Sequence, residues 1–102
     1  MDEIVRIKVE NCFSQAQTYG YVLPFRVDEN FLEALRSLGT FQIKRNYRRP
    51  FFFLHLKDGS QVKGMLNDTM VKASYPDERY EAGMQAFEEN LSRITGRKII
   101  HE

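Results

Sequence analysis

Two histidines, one cysteine and five tyrosines are the side chains of this 102-residue sequence best suited to acid–base or covalent chemistry. Their spacing assembles no catalytic set. His55 lies within an apolar run, His101 lies in the final segment, and Cys12 has no histidine near it in sequence. A fold that brought Cys12 or a tyrosine against His55 is the one route to such a set that sequence leaves open. Asp77-Glu78 and Glu88-Glu89 are neighbours on a helix-forming stretch, so their carboxylates point apart and make no dyad. No His, Cys, Asp or Glu spacing suits a metal. Gly59 to Gly64 reads Gly-Ser-Gln-Val-Lys-Gly, a phosphate-loop composition, but in a hairpin rather than before a helix its amides belong to a sheet ladder. The expectation is a non-catalytic protein without a cofactor.

Recognition chemistry is better represented. From Phe41 to Tyr75 the residues alternate as strands do, and Phe51, Phe53 and His55 share the parity opposite to Phe52, Leu54 and Leu56. One layer of helices covers one side of a sheet, so a second side bearing large apolar groups must be covered or used. With Val5, Ile7, Val9, Phe41, Ile43, Phe52, Leu54, Leu56, Val62, Leu66, Val71 and Ala73 placed toward the helices, period two sends the others outward. The outward set is Arg6, Lys8, Lys44, Lys63 and Lys72 with Phe51, Phe53, His55, Met65 and Met70. The second helical stretch holds Asp77, Glu78, Glu81, Glu88 and Glu89 against Arg79 and Arg93. A basic sheet and an acidic helix layer are expected.

The elements that must carry these residues are well marked. Ile4 to Glu10 alternates as a half-buried strand. Asp28 is a good N-cap for a helix through Phe31, Leu35 and Leu38, with Gly39 suited to a left-handed stop. Four strands follow, Phe41 to Tyr47, Phe51 to Lys57, Gln61 to Leu66 and Met70 to Tyr75, and Asp58-Gly59 between two of them is a strong hairpin signal. Pro76, Asp77 and Glu78 start a second helix whose Tyr80, Met84, Phe87, Leu91 and Ile94 recur at helical spacing, and Gly96 ends it. Residues 97–102 add a short strand through Ile99 and Ile100 or fray.

The predicted order is β-α-β-β-β-β-α. It implies a single α+β domain over residues 1–102, a two-layer sandwich of about five antiparallel strands with both helices on one side, in a TATA-binding-protein-like or ferredoxin-like layout. Lone Cys12 forms no internal disulfide, and a net charge of +1 supplies no bulk attraction to nucleic acid or lipid. No apolar run approaches the ~20 residues of a membrane span, and Met1-Asp2-Glu3 does not begin a secretory signal. A soluble, cytoplasmic protein is expected.

Three uses of the outward side follow. The favoured one is association, with a protein partner or with a second copy as a homodimer, because burying each Phe is worth ~1.5–3 kcal/mol. The alternative is single-stranded nucleic acid, with Phe51 and Phe53 stacking on bases and the lysines on phosphates, aided by a hairpin tip of Arg45, Tyr47, Arg48 and Arg49. The third is internal cover. Residues 11–27 are long and apolar for a linker, so Tyr19, Tyr21, Leu23 and Phe25 could lie across the sheet, enclosing a small apolar ligand or supplying an extra strand.

Overall fold

In the computed structural model, which describes residues 3–9, 17–76 and 80–101, alternating sequence folds into one sheet of seven strands. These are β1 (Ile4–Lys8), β2 (Gln17–Val22), β3 (Thr40–Lys44), β4 (Phe51–His55), β5 (Gln61–Met65), β6 (Met70–Tyr75) and β7 (Ile99–His101). Helix α1 (Glu29–Arg36) lies between β2 and β3, and α2 (Tyr80–Thr95) between β6 and β7. The spatial order is β3-β4-β5-β6-β2-β1-β7. Every pairing is antiparallel except β1 with β7.

The α+β class agrees with the sequence, but the strand count and order do not. Two strands join the expected five, so the chain departs from the β-α-β-β-β-β-α order and its TATA-binding-protein-like or ferredoxin-like layouts. The first addition, β2, comes from the segment expected either to cover the sheet or to supply an extra strand through Tyr19 to Phe25, and it sits mid-sheet between β6 and β1. Tyr19, Tyr21 and Val22 favour a strand, while Gly20 breaks the pattern by which one is recognised. The second, β7, is the short strand through Ile99 and Ile100, one of the two outcomes expected for residues 97–102.

Local chemistry explains the turns and helix ends. In the β4–β5 hairpin Gly59 has φ 92°, the Leu56 amide donates to the Ser60 carbonyl at 2.9 Å, and the Ser60 amide donates to Asp58 Oδ1 at 2.9 Å. Asp28 caps α1, its Oδ1 accepting from the Phe31 amide at 2.9 Å. Gly96 follows α2 with φ 67°, as expected for a left-handed stop. Gly39 does not take that role: α1 ends earlier, at Arg36, and Gly39 is not among the positive-φ residues. A different constraint selects it, since a Cβ there would lie 2.3 Å from the His55 carbonyl oxygen. The expected start of the second helix at Asp77 and Glu78 lies outside the described residues, as do Glu10 and Cys12.

Both helices pack on the same side of the sheet. Phe31, Leu32 and Leu35 of α1 and Phe87 and Leu91 of α2 share a core with Ile4, Tyr21, Phe52, Leu54, Val62, Val71 and Tyr75. For β3 to β6 the sides are as the alternation predicts. For β1 they are reversed: register pairs Arg6 with Tyr21 and Lys8 with Tyr19, so Ile4, Arg6 and Lys8 face the helices while Val5 and Ile7 face away. The reversal has a physical basis. Ile4 is fully buried, the Arg6 guanidinium meets Glu88 of α2, and both cations lie 5.7 Å from the Tyr19 ring centroid, leaving their stems to cover apolar surface.

Candidate interaction face

Pairing aligns the side of the sheet opposite α1 and α2 into three rows that cross the strands. The first runs Lys44–Phe51–Met65 across β3 to β5 and Met70–Val22–Val5–Ile100 across β6, β2, β1 and β7. The Lys63–Lys72 pairing brings Met65 beside Met70 and joins the two halves. Apolar side chains thus fill six of the seven strands in this row, with Lys44 at one edge, roughly 29 Å across at ~4.8 Å per strand. Met65 and Val22 are each 37% exposed and Ile100 41%. The second row is mixed, Gln42–Phe53–Lys63–Lys72–Gly20–Ile7, and the third is polar, Thr40–His55–Gln61–Ser74–Thr18. Within the described strands this side carries no Asp or Glu.

Aromatic packing concentrates at one end of it. Tyr47 packs at a tilt of 47° against Phe51 with centroids 5.2 Å apart, and Phe51 meets Phe53 edge-on at 5.4 Å. Between these rings and the next strands lies a depression of about 400 Å³, whose lining includes Phe51, Phe53, Lys63, Met65, Met70, Lys72 and Asp68. The Asp68 carboxylate accepts from the Thr69 amide at 2.7 Å. Lys63 and Lys72 stand directly opposite one another on β5 and β6, and neither joins an ion pair among the described residues.

The expected residues therefore separate into groups. Phe51, Phe53, His55, Lys44, Lys63, Met65 and Lys72 share one surface, with His55 exposed in the polar row. Arg6 and Lys8 lie on the opposite surface, which corrects their placement. At the tip Tyr47 is 60% exposed and extends the aromatic ladder, and Arg48 and Arg49 are exposed. Arg45 instead donates to both Glu29 oxygens, at 2.9 and 2.8 Å, which lowers the Glu29 pKa and raises its own. Tyr19, Tyr21, Leu23 and Phe25 do not cover Phe51 and Phe53. Tyr21 and Leu23 are buried in the helix-side core, Tyr19 packs edge-on to Tyr75, and Phe25 packs on Phe31. That placement also keeps Tyr19 and Tyr21 away from His55 and removes them from any ligand site on the outer surface. Val5, Ile7, Val22 and Ile100 also belong to this face: the alternation of Val5 and Ile7 is clear in the sequence, but the structure takes it in the opposite phase.

The helix side holds a polar network. Tyr21 donates to Glu88 Oε2 at 2.9 Å, so its oxygen is left to accept from Tyr75 at 2.7 Å, and Arg6 donates to the same Glu88 oxygen at 2.6 Å. Burial pushes both phenols far above their usual range. For Arg6, burial works against the charged form, yet the Glu88 hydrogen bond and charge outweigh it and raise the pKa. This chain of hydrogen bonds ties α2 to β1, β2 and β6. Among the described residues there is no cluster of three metal-binding side chains, and no helix is long and apolar enough to cross a membrane. Compared with family models, curated proteins and solved structures, the chain matches none.

Proposed function

We propose that this chain is a non-catalytic association domain whose sheet surface opposite α1 and α2 is the contact with another protein molecule. The apolar row that crosses the sheet carries the reading. Its side chains lie on an outer surface, and a contact that removed the half-buried Phe51 and Phe53 from water would draw from each ring a part of the ~1.5–3 kcal/mol that separates full exposure from full burial. Five of the row's six apolar residues, Met65, Met70, Val22, Val5 and Ile100, are non-aromatic and offer no ring for a base to stack on. Arg6 and Lys8 point to the other side, which leaves Lys44, Lys63 and Lys72 as the cations of these strands. Protein is therefore favoured over single-stranded nucleic acid.

The test combines mass with position. Sedimentation from low to high micromolar concentration detects self-association, and a photo-reactive phenylalanine analogue replacing Met65 captures any other protein in the cell that makes the chain. Association in one assay or the other is expected, with loss on Phe53→Glu and no cross-link from the same analogue at Gln85 on α2. A chain that stays monomeric and gives no cross-link from position 65 would remove this reading.

A further inference from the structure

Resting on that reading, we propose that the occupant of the face is an acidic amphipathic segment of a different protein, its apolar residues on the Phe51–Met65–Met70 row and a carboxylate on Lys63 and Lys72. Two observations carry the step. The lysines sit directly opposite across β5 and β6, where like charges repel, and each lacks an ion-pair partner among the described residues. An anion between them relieves the repulsion. They also line the depression together with aromatic rings and thioethers, so one ligand group can reach both ammoniums while its neighbours fill the apolar surface.

The same charges disfavour a second copy. Two of these faces brought together would oppose Lys44, Lys63 and Lys72 with an identical set and no strand carboxylate to receive them. Asp68 is the one acid at the depression. A partner with carboxylates beside its apolar residues supplies the complement that this chain lacks.

Three synthetic amphipathic peptides with one leucine pattern and glutamate, glutamine or lysine at the polar positions provide the probe. Titration followed by the amide spectrum of the labelled full chain should rank them glutamate, glutamine, lysine, with about a tenfold gap between the first two from a pair of exposed ion pairs. Perturbed amides should lie on β4, β5 and β6. Lys63→Gln with Lys72→Gln should close that gap, and Lys63→Glu with Lys72→Glu should reverse the ranking, while Arg93→Gln on α2 leaves it intact. Equal affinity for the glutamate and glutamine peptides, no binding by any peptide, or displacement of the glutamate peptide by single-stranded DNA at equal concentration would overturn the proposal. A wild-type dimer joined through this face would also overturn it while leaving the association reading intact; an absent cross-link from position 65 in a monomeric chain would end both.

Discussion

Gly39 shows how one atom can decide a position for reasons that local propensity does not contain. Its neighbour Thr40 pairs with His55, and this tight start of β3 leaves no room for a Cβ beside the His55 carbonyl. Alanine there must displace backbone, not a side-chain tip. Gly39→Ala should cost about 3 kcal/mol in denaturant unfolding. Gly96 is the useful comparison, because it has positive φ but no heavy atom within 4 Å of a Cβ built on it. Gly96→Ala should cost about 1 kcal/mol, the strain of a left-handed alanine alone. Equal losses at the two positions would mean that the close approach at Gly39 does not constrain the fold. From sequence both glycines read as helix stops, and only the tertiary neighbour of Gly39 separates them.

At the scale of elements, α2 is held by its apolar stripe and by the Glu88 contacts to Tyr21 and Arg6. Tyr21→Phe deletes both the donor to Glu88 and the acceptor of Tyr75, and leaving buried polar atoms unmatched should cost about 1–3 kcal/mol. Alkali should act on the same bonds. The folded pKa of each phenol is raised above its ordinary value of 10.0, so the folded chain holds those protons more tightly than the unfolded chain. Their contribution is complete below pH 10.0 and declines as pH rises beyond it toward the folded values. Urea midpoints measured on either side of that pH should fall for wild type and fall less for Tyr21→Phe. A parallel decline in both would show that the network does not titrate as described.

These elements also show what the sequence made legible. The β3–β6 meander was readable because hairpin turns punctuate strict alternation, and the stripe of α2 because Tyr80, Met84, Phe87, Leu91 and Ile94 repeat at helical spacing. The outward placement of Phe51, Phe53, Lys63, Met65 and Lys72 follows from that meander. β2 was not delimited, since Gly20 and polar Gln17 and Thr18 interrupt its pattern, and a central strand is defined by partners far away in sequence. The phase of β1 was misread because Val5, Ile7 and Val9 form the more apolar set, whereas an ion pair with α2 and the Tyr19 ring let Arg6 and Lys8 occupy the other side.

At the scale of the molecule, the sheet is stitched together by its most distant segments. Ile4 pairs with Ile99, and the Ile4 amide donates to the Lys98 carbonyl at 2.9 Å, beside a side chain that is fully buried. Ending the chain after Gly96 should therefore lower stability by about 2 kcal/mol or more, read from denaturant midpoints, through uncovered Ile4 and a β1 left paired on one edge only. An unchanged midpoint would show that β7 adds nothing to the fold. The same stitch marks a weak moment in folding. Until residues 99–101 have docked, β1 offers a bare backbone rim to any extended peptide nearby. A partly folded chain is thus most open to pairing with the wrong neighbour along β1, and Ile99 and Ile100 act as its selvedge.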